Sequence, residues 1–409
     1  MFAATPDLVL APVDSVRVVS HVYSVSLLAL VPMAVAGLSA WALRRSGAGT
    51  RALVWRASML ALLIVCIGQL LPSRWGAWVI PPGLAEPLIA LGRLELAAGG
   101  SPATGGAWFV EMLCYAYLTG VALVLLSLVR SYASAVVTVS RATPVLDAGW
   151  RAQLDAARAV LGITRQVRMV MTDSASVPMI VGALRPVVVL PPYVLEWSDE
   201  RRCAVLLHEL AHVRARDVAA AIAGRVVCAL LWFHPGAWWV ARTLHDEAEL
   251  ACDDRVLAAR VKPSAYADLL LAVSDRVHGR SARGGAVALT GGGLRARLAS
   301  IVSTRRESHA APTRRAVATA FAMALCLATP LSAVRLEPTR DVLRGLMHDS
   351  RWDSRAYAVL GLAPRADSVN VARAAAVNDP DPLVRAWASY ALALRQASVS
   401  PLPPRTQPR

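Results

Sequence analysis

Hydrophobic and polar positions divide the chain into long unbroken apolar runs and intervening segments of mixed patterning. Four runs stand out, at 22–43, 52–71, 107–129 and 316–334. The first is uncharged and followed by Arg44 and Arg45, and the second holds only Arg56, near its start. The third holds only Glu111 and is closed by Arg130; the fourth is uncharged behind Arg314 and Arg315. At about 1.5 Å per residue, each run predicts a helix able to cross about 30 Å of hydrocarbon. Arg56 fits this reading if its long side chain snorkels to the interface. The residues before 22 lack the basic start of a cleaved signal peptide, so the first run is expected to be an uncleaved span.

Charge orients the spans. The short loop 44–56 holds Arg44, Arg45, Arg51 and Arg56, whereas 72–106 holds Arg74 and Arg93 balanced by Glu86 and Glu95. The positive-inside rule places the short loop in the cytoplasm and the N-terminus outside. Counting crossings then puts 130–315 inside and 335–409 outside, in a multi-pass protein of a bacterial inner membrane whose first partner is the lipid bilayer. The chain is 56% hydrophobic, in keeping with this. Of six cysteines, Cys66, Cys114 and Cys326 fall in spans and Cys203, Cys228 and Cys252 in the cytoplasmic segment; none falls in the outer tail, so no disulfide framework is expected. The net charge of +15 is almost all arginine, Lys262 being the single lysine, and it is scattered along loops and helix faces. That pattern fits membrane-proximal charge, and direct nucleic-acid binding is not expected.

Chemistry concentrates in 204–217, AVLLHELAHVRARD. Ser198 suits an N-cap, with Asp199 and Glu200 in a first helical turn where the dipole favours acids. No glycine or proline follows as far as Asp217, so His208 and His212, four apart, share one helix face. Neutral imidazoles in that relation suit one Zn²⁺ at about 2.0–2.1 Å, with room for a third protein ligand and a water. Glu209 is then placed as general base for attack of water on a peptide carbonyl. Two incidental histidines on a packed helix would give the same five-residue pattern.

A third ligand is expected on a later helix. The stretch 241–260, ARTLHDEAELACDDRVLAAR, offers His245, Asp246, Glu247, Glu249, Asp253 and Asp254, and spacing alone does not choose. Residues 218–233 are apolar except for Arg225, and His234-Pro-Gly236 is turn chemistry, which predicts a helical hairpin with antiparallel arms. Arms of about 16 and 13 residues, roughly 24 and 20 Å, return Glu249 to the depth of the histidines. Residues 218–233 are therefore not expected to be a single crossing, and the 218–241 hairpin is compatible both with dipping into the bilayer and with staying outside it. Trp232, Trp238 and Trp239 at its tip suit a membrane interface or an aromatic cluster in a soluble core.

The run 177–191, VPMIVGALRPVVVLP, followed by LLHELAHVRARD, FHPGAWWVAR and EAELACDDRVL, resembles the BlaR/MecR-type membrane metallopeptidases, the antirepressor or sensor-transducer proteases of the beta-lactam response. The resemblance covers about 20–335. It implies a mainly α, polytopic protein with four transmembrane helices, an N-out arrangement and a cytoplasmic gluzincin-like α+β domain over 130–315. It implies His208, His212 and Glu249 as zinc ligands and Glu209 as the catalytic acid-base residue, leaving Glu247 outside the set. Asp217 and Asp253 become acids that orient ligands or helices from behind. Cys252 is expected off the ligand face, as a small packed residue. The 177–191 run has the look of an edge strand interrupted by a turn. By resemblance it offers backbone to an extended substrate, with Val181, Gly182 and Leu184 as contact candidates. Residues 277–293, with six glycines, read as a flexible linker before the last span.

The tail departs from the family. A penicillin-binding sensor needs a Ser-x-x-Lys nucleophile and far more chain, whereas 335–409 is short and has no lysine, so acylation by beta-lactams is not expected. Instead DSRWDSRAYAVLGL at 349–362 matches DPDPLVRAWASYAL at 379–392, pairing Arg355 with Arg385 and Tyr357 with Trp387 at a period of 30. This predicts HEAT-like helical repeats over 335–397, suited to a protein partner, before a disordered 398–409. The expected activity is zinc-dependent cleavage of a cytoplasmic protein, a transcriptional repressor or the chain's own loop, with a homodimer left open. A non-catalytic receptor retaining the zincin fold and a quality-control membrane protease are the alternatives.

Overall fold

The computed structural model describes residues 12–69, 78–79, 107–284, 291–302, 313–333, 336–337, 340–363 and 368–399. They fall in two compact units, one of Met1–Leu27, Gln69–Thr119 and Ala333–Arg409, the other of Leu28–Gly68 and Gly120–Ser332. The chain opens with helices α1 (Pro12–Ala42) and α2 (Ala48–Gly68), the two-residue strand β1 (Trp78–Val79) and helix α3 (Ala107–Arg141). The stretches His21–Ala42, Ala48–Gly68 and Glu111–Arg141 are long and apolar enough to cross a membrane. Helix α3 outruns its expected end because 131–140 contains no breaker, and the Ser131 and Ser140 hydroxyls bond back to the carbonyls of Ser127 and Val137.

The second unit carries the mixed α+β part. After β2 (Thr143–Pro144) and α4 (Ala148–Val160), strands β3 (Arg168–Met171), β4 (Met179–Val181) and β5 (Val187–Leu190) complete a sheet of order β2-β3-β5-β4. β3 runs parallel to β5, while β2 and β4 are antiparallel to their neighbours. The expected single interrupted strand is therefore two strands. All four residues of β5 are buried, as its unbroken apolar run requires of an inner strand, and β4 is the edge. Gly182 makes the turn between them at φ 92°, where a side chain would meet the Arg185 carbonyl. Leu184 lies in that turn and is 91% exposed.

Helix α5 (Asp199–Ala215) follows, with Ser198 at its N-cap in extended backbone but without a side-chain capping bond. It ends earlier than expected. Arg216 takes the left-handed conformation, φ 60° and ψ 37°, and α6 (Asp217–Leu230) starts at once. The His-Pro-Gly turn leads into α7 (Pro235–Ala258), where His234 Nδ1 accepts from the Gly236 N–H and Pro235 opens the first turn. Helices α8 (Pro263–Gly284), α9 (Gly291–Val302) and α10 (Arg314–Ala333) complete the unit up to Ser332. Residues 277–284 of the expected linker are helical, and 285–290 lie outside the described residues. The fourth expected span, as Arg315–Leu331, is an apolar helix shorter than the other three. Trp150, Leu154, Leu206, Leu210, Leu190 and Tyr266 form the core between the sheet, α4, α5 and α8.

The α6–α7 hairpin packs among the candidate spans. Trp239 meets the Trp55 ring edge-on at 5.0 Å, and a β-carbon at Gly37 would touch Trp239. Gly236 faces Met33, Gly224 faces Met59, and Gly120 of α3 lies flat against the Trp232 indole, with no room for a β-carbon. Met33 and Met59 lie near the middle of the apolar stretches of α1 and α2. Trp239 thus meets α1 and α2, and Trp232 meets α3.

In the other unit, strand β6 (Leu336–Glu337) pairs parallel with β1. Beyond it stand α11 (Arg340–Leu346), α12 (Trp352–Leu362), α13 (Val369–Asn378) and α14 (Pro382–Val399). The 30-residue match has a structural counterpart. Arg355 Nη1 donates to the carbonyls of Asp349 and Ser350, and Arg385 Nη1 to those of Asp379 and Pro380. Arg355 also forks onto the Asp379 carboxylate at 3.0 and 3.1 Å, joining the turn before α12 to the turn before α14. Ala356 is buried while its mate Ala386 is exposed, as expected where α12 is covered and α14 ends the described stack.

Burial opposes the charge on Asp379, but the Arg355 guanidinium outweighs it and holds the carboxyl below its ordinary range. This contribution to stability is complete above the ordinary carboxylate pKa and is lost as pH falls through the depressed one. At neutral pH, Asp379→Ala should loosen α12–α14 by about 1 to 3 kcal/mol. Amide exchange of 349–399 in the full chain, faster than wild type while α5 is unchanged, is the expected readout.

Candidate metal centre

His208 and His212 lie one turn apart on α5, and α7 returns antiparallel to bring Glu249 beside them. The two Nε2 atoms stand 3.3 Å apart. Carboxylate oxygens of Glu249 lie 3.6 Å from His208 Nε2 and 3.5 Å from His212 Nε2. Ligand atoms about 2.0–2.1 Å from a tetrahedral zinc are about 3.3 Å from one another, so this triangle has the size of three zinc ligands. His208, His212 and Glu249 accordingly form one of two groups among the described residues able to hold a metal ion.

Each ring is held from behind through Nδ1. His212 Nδ1 bonds Asp217 Oδ2 at 2.8 Å. His208 Nδ1 bonds the Tyr266 hydroxyl at 2.9 Å, and that hydroxyl donates to Asp253 Oδ1 at 2.6 Å. With Nδ1 as the donor on both rings, both Nε2 lone pairs turn toward the point that Glu249 also faces. Burial opposes charge on His208, but Asp253 and Glu249 hold its proton and raise its pKa to about 10. A divalent ion held by these residues would take the place of that proton, because ligands bind metal deprotonated.

The left-handed turn at Arg216 explains how Asp217 reaches His212. A continuous helix would carry residue 217 past the ring, whereas the break starts α6 at once and folds the carboxylate back onto Nδ1. Burial favours protonation of Asp217, yet His212 and Arg56 hold its pKa below the ordinary value. Arg56 does not snorkel away from its span. Its guanidinium bonds Asp217 Oδ1. Glu247 likewise faces away from the triangle and pairs with Arg51 at 2.9 and 3.0 Å.

Cys252 differs from expectation in its contacts. It is buried, but its sulfur lies 3.4 Å from His212 Nδ1 and 3.7 Å from Asp217, making the second metal-sized group. Burial, then the Asp217 charge, push the thiol pKa far up, so it stays protonated. Arg56 already neutralises Asp217, and His212 Nδ1 is engaged. This cluster is a hydrogen-bonded support for His212.

Glu209 is buried, and burial raises its carboxyl pKa against the pull of both imidazoles. Glu249, opposed by burial but bonded to His208 and facing Arg297, is held low and anionic. Arg297 of α9 reaches Glu249 at 2.8 Å and forks onto Asp253 at 2.7 Å through two nitrogens. Tyr266 and Arg297 have no mark in the local sequence, since each acts across a long span of chain. Arg165 is another such residue, tying the β4–β5 turn to α5 through the carbonyls of Ala183 (3.3 Å) and Val213 (2.8 Å). Beside it a small depression lined by Ile180, Gly182, Pro186, His212 and Val213 runs from the β4–β5 hairpin to His212. Val181 and Gly182 border this edge, while Leu184 stands out in the turn.

The pattern of the family BlaR1 peptidase M56 matches residues 101–301. The regulatory protein BlaR1 of Bacillus licheniformis is 35% identical over 81 residues, 20% of this chain and 13% of the relative. The methicillin resistance mecR1 protein of Staphylococcus aureus is 33% identical over 82 residues, 20% of this chain and 14% of the relative. The aligned segment thus spans about one-seventh of these relatives' length.

The two metal-sized groups make opposite predictions. Cys252→Ala should leave metal content of the purified protein near wild type, whereas His208→Ala should abolish it; elemental analysis after dialysis decides between them.

Proposed function

We propose that this chain, whose residues 101–301 match the pattern of the BlaR1 peptidase M56 family, is a zinc endopeptidase acting on the cytoplasmic side of the membrane. The observation that carries the proposal is the ligand triangle of His208, His212 and Glu249, built to zinc dimensions with a buried glutamate next in sequence to its first histidine. His208, His212 and Glu249 would hold the zinc ion, which when bound would supply Lewis-acid polarisation of a carbonyl and acidification of a water. Glu209 takes the proton of that water and later delivers it to the leaving amine. Asp217, Asp253 and Tyr266 keep each imidazole in the tautomer that presents Nε2. The β4 edge supplies backbone for an extended substrate segment laid across the depression beside His212, with Val181 and Gly182 as its contacts.

The substrate is a cytoplasmic protein, a transcriptional repressor or the chain's own loop, in keeping with regulated proteolysis. In this reading α10 is a fourth span beside the three candidate ones, both termini are extracytoplasmic, and the α6–α7 hairpin enters the bilayer beside α1, α2 and α3. The paired helices α11–α12 and α13–α14 form a HEAT-like module that binds a protein partner outside, supported by the arginine contacts repeated 30 residues apart.

Glu209→Gln, in the full chain in nanodiscs, should keep one zinc per chain and lose cleavage by about 10² to 10⁴-fold. Cleavage is followed on the chain itself and on a small repressor from a neighbouring gene. Absence of zinc from the wild-type protein would overturn the enzyme reading in favour of a receptor that keeps only the fold.

A further inference from the structure

The two histidines are supported symmetrically, and each support ends on an arginine from outside the helices that carry the ligands. Behind His212 the order is Nδ1, Asp217, Arg56, and Arg56 belongs to α2, a candidate span. Behind His208 the order is Nδ1, Tyr266, Asp253, Arg297, and Arg297 belongs to α9, the helix before α10. All four acid and arginine side chains are largely buried; the arginines are 17% exposed, Asp217 13% and Asp253 3%. A buried carboxylate without its cation would be costly, so neither aspartate keeps its place unless its arginine is present.

We propose that Arg56 and Arg297 are positioning residues that make metal retention depend on the seating of α2 and α9. Neither bonds a ligand nitrogen. Each fixes an aspartate, directly or through Tyr266 fixing an imidazole, and Arg297 also pairs with Glu249 Oε2, an oxygen of the triangle. A displacement of either helix that withdraws its guanidinium releases one ring from its tautomer and orientation. This rests on the zinc reading given above and specifies what sets that site.

The two arginines differ in a way that separates positioning from general stability. Arg56 meets Asp217 with one nitrogen, which a lysine ammonium can imitate; Arg297 spans two oxygens of Asp253 and one of Glu249, which it cannot. The test uses the full chain in nanodiscs, with zinc affinity measured by chelator competition and ligand geometry by the visible spectrum of the cobalt-substituted protein. Arg56→Gln and Arg297→Gln should each weaken zinc binding about 10- to 100-fold and alter the cobalt bands. Arg56→Lys should restore both properties, and Arg297→Lys should not. In an Asp217→Asn background, Arg56→Gln should add nothing further.

Unchanged affinity and spectrum in well-folded Arg56→Gln and Arg297→Gln would overturn the proposal, as would an equal loss from Arg56→Gln with and without Asp217. Should Arg56→Gln fail to fold, Arg56→Lys decides alone, and a folded lysine variant with weak zinc binding would overturn the Arg56 relay. A wild-type chain that holds no zinc would instead overturn the enzyme reading, and the relay with it. Wild-type zinc binding and cleavage beside unaltered variants would sink the relay only.

Discussion

Two imidazole nitrogens facing one another at 3.3 Å, with a carboxylate closing the triangle, form an arrangement that the bare side chains would not adopt. The glutamate is largely buried and anionic, and the group needs a positive charge at its centre, a proton on His208 or a metal ion, together with restraint from behind. Much of the second unit answers that need. α5 supplies the spacing and α7 the return, the break at Arg216 supplies Asp217, and α8 and α9 supply Tyr266 and Arg297. The sheet is small and sits to one side, where its edge strand lies along the same helix.

The apolar character of the chain follows from how this scaffold is anchored. α2 is more enclosed than α1 or α3, because the α6–α7 hairpin packs on it and its arginines reach acids of α6 and α7. α1 and α3 carry exposed large apolar residues, among them Leu38, Leu123 and Val129. Those exposed faces suit lipid rather than water.

Local features of the sequence were legible where a local rule governs them. Helix spacing placed His208 and His212 together, the His-Pro-Gly turn returned α7, and the Pro- and Gly-marked run resolved into a hairpin ending on an edge. Three kinds of feature escaped. A left-handed arginine has no residue signature, so α5 was expected to run on to Asp217. Arg51 and Arg56 read as interfacial charges, because their partners Glu247 and Asp217 are more than 150 positions away. Tyr266 and Arg297 sit on unremarkable helices and matter only through what the fold sets against them. The choice of Glu249 over its acidic neighbours, open on spacing alone, is explained by helix phase: Glu247 points to α2 and Glu249 to the histidines.

Gly120 gives the assembly a mechanical property. The bare face of α3 at this position receives the flat ring of Trp232. Turning α3 about its axis by one residue, about 100°, would present a side chain to that ring where there is no space for one. The contact fixes which face of α3 meets the hairpin at this position, since a residue with a β-carbon there would have to displace the ring.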